Sequence, residues 1–329
     1  MRLAPRILTL VLGLQRTSAQ LSSPSLRNTT FNPLHGIQPF PLSSYSTNMT
    51  RRAPVIALSH GGGPMPLLGD PSHAPITKSL QTRVPHILKL GTPDAPKAVV
   101  LVTAHWSTDK VTISSGAAHE LLYDYYGFPP ESYHIKHNAP GSPEVAEQVA
   151  RALDEAGIEH VKDPQRPWDH GVFVPMKLID PSATTPIVQV SVLASESAAQ
   201  SYAVGRALAA LRAQNIAIIG SGFATFHNLR LFSQLANPAL QAQTKEWSRA
   251  VTDAALTDDD AQREHKFLHW RSWQHAYSMH PRGGAEHFLP LIVCAGAAAA
   301  TKGKAYADSL RGTDMWSYYW DDDSASYSL

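Results

Sequence analysis

The chain has 329 residues, 43% of them hydrophobic and 17% charged, with a formal net charge of +1. That length supports one full hydrophobic core, and the balanced charge gives no reason to expect a nucleic acid or a membrane surface as partner. The single cysteine, Cys294, excludes an internal disulfide framework and a cysteine-built zinc site, whereas histidine occurs sixteen times.

The amino-terminal stretch, residues 1 to about 50, differs from the rest. It contains Arg2, Arg6, Arg16, Arg27 and many Ser, Thr and Pro, and the first acidic residue of the chain is Asp70. An arginine-rich, serine-rich, acid-free segment has the composition of a mitochondrial transit peptide. The apolar run Ile7–Leu14 followed by Ser18 and Ala19 fits a secretory signal as an alternative. Asn28 and Asn48 each open a glycosylation triplet. Translation from Met49 would instead give a cytoplasmic protein. In each case residues 1–50 are expected to be a disordered extension outside the fold, and residues 51–329 the catalytic domain, with a tail from about residue 303.

Within the core, Pro54–Ser59 reads as a short buried strand that ends at His60, with Gly61–Gly63 allowing a sharp turn. Lys97–Ala104 is β-branched, uninterrupted and delivers His105; Val111–Ser115 is expected to return beside it. Ser142-Pro143-Glu144 is a helix start, with Val145, Val149 and Leu153 at helical spacing and Gly157 as the stop. Pro186–Val192 is a further strand, and Ser195 to about Gln214 a helix with Ser195 as cap. Ile216–Gly220 is the next strand, turning at Ser221-Gly222 toward His227. Asn237-Pro238 starts a helix to about Leu256; Asp258–Leu268 and His287–Ala300 complete the helical segments. Strands alternating with helices predict a single-domain α/β protein, an αβα sandwich around a mostly parallel sheet.

Ligands in such folds bind beyond the carboxyl ends of the strands, where His60, His105 and His227 fall. Imidazole is the commonest metal ligand among side chains. The three, with His287 opening an apolar helix beside Glu286, therefore read as a metal centre, with either His287 or Glu286 able to contribute. His170, in Trp168-Asp169-His170-Gly171, reads as an acid–base histidine, the competing reading being a helix cap at Asp169 beside a bystander imidazole. The aromatic loop Tyr123–Pro129 suits the wall of a pocket for a flat ring, with Tyr126 and Phe128 as substrate contacts. His265 and His269 sit four apart on a helix, but Lys266 stands where a zinc protease needs glutamate, so they read as surface residues.

Seven motifs occur in order: Ser59–Pro64, Thr103–Trp106, Tyr126–Pro129, Ala139–Pro143, Asp169–Gly171, Gly220–Gly222 with Phe226–Leu229, and Glu286–Leu291. Together they resemble the class III extradiol ring-cleavage dioxygenases of subunit-B (LigB-like) type, in the 4,5-DOPA dioxygenase branch. The resemblance implies an enzyme that inserts O2 into a catechol beside its diol, giving a semialdehyde acid. It implies one divalent metal ion, Fe(II) for catalysis or Zn(II) as bound, on His60, His105, His227 and His287, with His170 as acid–base. It implies neither NAD nor flavin, and no GxGxxG motif is present. The wider superfamily uses two histidines and a glutamate, which leaves open whether Glu286 ligates. A zinc hydrolase on the same histidines and a Memo-like binding protein remain as other readings.

Overall fold

The computed structural model describes residues 51–323. The transit-peptide, secretory, glycosylation and Met49-start readings all fall on residues 1–50, outside the described residues.

Among the described residues eight strands form one sheet: β1 Val55–Ser59, β2 Ala98–Thr108, β3 Val111–Ser114, β4 His160–Asp163, β5 Ile187–Leu193, β6 Ile216–Gly222, β7 Gly303–Leu310 and β8 Thr313–Trp320. Their order is β4-β3-β5-β2-β6-β1-β8-β7. The central run β5-β2-β6-β1 is parallel throughout. Its strands are apolar over nearly their full length and buried on both faces, as parallel strands between helix layers must be. Antiparallel pairing enters only where β3 meets β5, β1 meets β8 and β7 meets β8.

The helices are α1 Ala74–Gln81, α2 Arg83–Ile87, α3 Pro143–Glu155, α4 His170–Ile179, α5 Ala198–Leu208, α6 Pro238–Ala255, α7 Asp260–Leu268, α8 Ala276–Met279 and α9 Leu289–Ala297. Their starts follow local chemistry. Ser142 Oγ accepts from the Val145 N–H to open α3, and Asn237 Oδ1 from Ala239 to open α6. The cap of α5 is Ser197 rather than Ser195: Ser197 Oγ accepts from the Gln200 N–H, while Ser195 donates to the Gln200 side chain.

Strand β6 shows how the sheet is covered on both sides. Side chains alternate along a strand. A Cβ at Gly220 would lie 2.6 Å from the Pro290 carbonyl of α9, so the absence of a side chain lets that helix seat on the sheet. One residue on, Ser221 points the other way and donates to the Gly171 carbonyl of α4.

Two expectations are corrected. The segment Val111–Ser114 does not lie beside β2; β5 separates them. Thr108 and Thr112 both bond Ser191 Oγ, so the chain crosses the end of β5 at this turn. Nor is the region from residue 303 a tail. It is the β7–β8 hairpin, and β8 pairs with β1 inside the sheet, burying Tyr318 and Trp320 completely or nearly so. The acid run after it is also engaged: Asp323 and Asp322 pair with Arg51 and Arg52, and Asp321 with Lys304.

Candidate metal centre and active site

Each of the strand-end histidines reaches the carboxyl edge of the sheet. His60 is the first residue after β1, and its backbone N–H donates to the Gly222 carbonyl. His105 lies inside β2, which continues to Thr108; the register against β5 shifts between Thr103 and Ser107. Such an irregularity re-aims a side chain, and here it turns His105 into the cluster. His227 follows β6, and its N–H donates to the Met279 carbonyl. His287 lies two residues before α9 and sits against Gly222, whose missing side chain admits its backbone.

The rings converge. His105 Nε2 is 3.3 Å from His60 Nε2 and 3.2 Å from His287 Nε2. Their Nδ1 atoms face outward to fixed partners. Ser221 spends its hydroxyl proton on Gly171, so its oxygen accepts from His60 Nδ1–H at 2.9 Å. His287 Nδ1–H donates to Glu286 Oε1 at 2.9 Å, and His105 Nδ1 lies 3.5 Å from Asp124 Oδ2. Each ring thus turns an Nε2 lone pair inward, the tautomer a metal requires.

Three lone pairs this close repel one another unless a cation lies among them. Nitrogens around a tetrahedral ion at about 2.0 Å stand about 3.3 Å apart, which matches the spacing here. The residues present fit a single metal ion. Burial first, and then the neighbouring imidazoles, push His60 and His287 well below the usual histidine range and His105 to about 3. Neutral ligands are what metal binding needs.

Two further groups adjoin this one. His227, Glu286 and His287 bring their ligand atoms together, as do His105, Asp124 and His170. The His227 ring stacks on His287 at 3.3 Å between centroids, and its Nδ1 is 3.3 Å from Glu286 Oε1. The structure therefore groups His227 with Glu286 and His287 rather than with His60 and His105.

His170 opens α4 with its ring 3.8 Å from that of His105. Asp169 does not cap the helix through its side chain; that carboxylate is buried and bonded to Thr103, Gln189 and Arg166. The partner of His170 is Asp124, which accepts from the backbone N–H at 2.9 Å and from Nδ1–H at 2.8 Å. Burial pushes the Asp124 carboxyl up, but the His170 hydrogen bond and charge hold it below its usual value. Asp124 was not singled out from sequence. Its signal was a lone acid amid four aromatic residues, Tyr123, Tyr125, Tyr126 and Phe128.

The histidines and carboxylates of these three groups, His60, His105, Asp124, His170, His227, Glu286 and His287, line one cavity of about 570 Å³. Tyr126 and Phe128 line it too, Tyr126 at 91% exposure and Phe128 half-buried. Behind them Tyr125 packs edge-on to both Phe128 and His170 and ties its hydroxyl to the Ser132 carbonyl. Sequence reading also missed His73. It accepts from the Gly62 N–H through Nε2 and pairs with Asp70 through Nδ1, pinning the Gly61–Gly63 turn. His265 lies on α7 and His269 at its C-cap, and among the described residues neither belongs to a group able to hold a metal.

The family described as the catalytic LigB subunit of aromatic ring-opening dioxygenase matches residues 54–318. The chain belongs to this family. Its similarity to Dioxygenase tasH of Hapsidospora irregularis is 52% identity, over 82% of this chain and 85% of that one. It is 35% identical to the 4,5-DOPA dioxygenase extradiol of Beta vulgaris, over 62% of this chain and 74% of that one. Among solved structures, an uncharacterized protein of Escherichia coli K12 superimposes with a TM-score of 0.62 at 27% identity, covering 82% of this chain and all of the other. As a LigB-family member the chain is a non-haem extradiol dioxygenase. Enzymes of the family use a single metal, and the histidine–carboxylate cluster is a possible site for it. They act on a small molecule and O2. No helix among the described residues is long and apolar enough to cross a membrane.

Proposed function

We propose that this LigB-family enzyme cleaves a catechol beside its diol, both atoms of O2 entering the product to give a semialdehyde carboxylic acid. The observation that carries this reading is the convergence of the His60 and His287 Nε2 atoms on His105 Nε2 at 3.3 and 3.2 Å, with His170 against them and a ring-sized cavity in front. On this reading those three histidines hold the ion, and His227, which the structure groups with Glu286 and His287, stands beside them as the remaining candidate ligand. Fe(II) serves turnover, and Zn(II) is an inert occupant of the same donors. The metal, when bound, acidifies the diol and brings it together with O2.

The protein does the rest. His170, with Nδ1–H tied to Asp124, keeps Nε2 available as the base that takes a catechol proton and later returns it. Glu286 and Ser221 hold the ligating rings in one tautomer. Phe128, backed by Tyr125, packs on the ring of the substrate and excludes water.

The test is Fe(II) loading without oxygen, followed by a catechol panel on an oxygen electrode. Stoichiometric O2 uptake with a yellow product is expected. A zinc hydrolase or a Memo-like binding protein would consume none, and that result overturns the proposal. His60→Ala is expected to lose metal, and His170→Ala to lose turnover with metal content near normal.

A further inference from the structure

The cavity in front of the histidines holds one permanently cationic side chain among its described lining residues, Arg311. It comes from the turn of the β7–β8 hairpin, and nothing in the ring-opening chemistry requires a cation there. Its backbone is unusual. Arg311 and Gly312 have φ of 52° and 81°, the two central positions of a tight hairpin turn in which both residues take positive φ. Glycine suits the second position. The first normally goes to Asn, Asp or Gly, and arginine there pays for a left-handed backbone.

The turn is firmly held. Gln241 Nε2 donates to the Gly312 carbonyl, and Thr313 Oγ1 to the Leu235 carbonyl. The guanidinium carbon lies 5.7 Å from the centre of the Phe232 ring, within cation–π reach of that side chain. The acids of the cavity are engaged elsewhere: Asp124 with His170, and Glu286 with His227 and His287. Among the described residues none forms an ion pair with Arg311. An exposed, oriented guanidinium at the mouth of a pocket is suited to bind a carboxylate through two parallel N–H bonds.

We propose that Arg311 is a specificity-determining residue that binds an anionic substituent, a carboxylate, on the side chain of the catechol. The diol then faces the histidines and the acid points to the mouth of the cavity. This inference rests on the ring-cleavage reading for the identity of the ring, but its test does not depend on turnover. The probes are 3-(3,4-dihydroxyphenyl)propionate and its methyl ester, titrated by calorimetry into the full-length Zn(II)-loaded protein. The variant is Arg311→Asn, which removes the charge and also suits the left-handed backbone, so its thermal midpoint is expected to stay level or rise.

In the wild type the acid is expected to bind about tenfold or more tightly than the ester, as for a charge-assisted hydrogen bond. In Arg311→Asn that gap closes while ester affinity stays put. Equal binding of acid and ester by the wild type, or a gap that persists in Arg311→Asn, overturns the assignment and leaves the ring-cleavage reading standing. Failure of the wild type to bind either catechol removes the ring-cleavage reading and this inference with it.

Discussion

One oxygen of Asp124 accepts two hydrogen bonds from His170, the backbone N–H at 2.9 Å and the ring Nδ1–H at 2.8 Å. The carboxylate thereby does at the start of α4 what the side chain of Asp169 does not. It satisfies a free N–H of the first turn and fixes the ring of the residue that donates it. Its second oxygen lies 3.5 Å from His105 Nδ1. One side chain from a loop thus orients both His170, the proposed acid–base residue, and, more loosely, His105, a candidate ligand.

Asp124→Asn preserves size and loses the charge that stabilises an imidazolium at His170. The expected outcome is a fall in kcat of about 100-fold, within the range for general acid–base catalysis, with KM little changed. Metal content should stay near one per chain, because the metal-facing nitrogens are untouched. Steady-state kinetics beside elemental analysis checks this. Equal loss of metal and activity would make Asp124 a ligand support instead, and unchanged kcat would remove it from the chemistry.

A second variant probes the outward face of the cluster. Ser221 both accepts from His60 Nδ1–H and donates to Gly171. In Ser221→Ala the His60 tautomer is no longer fixed, and metal affinity is expected to drop about 10- to 100-fold, as for other partners of ligating histidines. Competition with a chromophoric chelator measures it. An unchanged dissociation constant would mean that the hydroxyl does not set the tautomer.

The cluster of candidate ligands was legible because His60, His105 and His227 lie in or just after apolar strand runs, and such runs in an α/β chain place their ends on one edge. Asp124 was not, because its role depends on a loop folding back across α4, a contact between residues 46 apart in sequence. The central strands could be read for the same reason that they are buried: Val99–Val102 and Ile187–Val190 have no polar face to break the run except Gln189. The β7–β8 hairpin escaped because its residues mix Tyr, Trp, Ser, Asp and Thr, and aromatic strands interrupted by polar residues look like scatter until the partner strand is known. Its turn, Arg311-Gly312, lacked the asparagine that usually marks such a hairpin.

That hairpin gives a stability prediction. Trp320 is fully buried where β8 pairs with Val55 of β1, and its Nε1–H donates to the Ala255 carbonyl. Trp320→Ala is expected to destabilise the protein by about 3–5 kcal/mol, as for other fully buried aromatic truncations, read from denaturant unfolding with the m-value unchanged. Tyr318→Phe, which only loses the hydroxyl contact with Thr252, should cost about 1 kcal/mol. A loss under about 1 kcal/mol in Trp320→Ala would make the hairpin an appendage rather than part of the sheet.

The last prediction concerns acid. His280 is fully buried between Trp247, Trp270 and Phe288, and its Nε2–H donates to the Ala224 carbonyl. Its Nδ1 has no partner among the described residues. Burial, the dominant cause, pushes its pKa down to about 3. The unfolded chain takes up a proton at this residue near pH 6.5, whereas the folded chain refuses it until about pH 3. Between those values the unfolded state binds more protons, so stability must fall as pH falls. The contribution is full above about pH 6.5 and shrinks by about 1.4 kcal/mol per pH unit below it. At pH 5 the expected loss from this one residue is about 2 kcal/mol. His280→Gln, which can still donate one hydrogen bond, should unfold more easily at pH 7.5 and yet show a shallower decline between pH 6.5 and 5. Urea unfolding at a series of pH values gives both numbers. Parallel curves for the two proteins would mean that His280 is protonated in the folded state and that some other group carries the acid sensitivity.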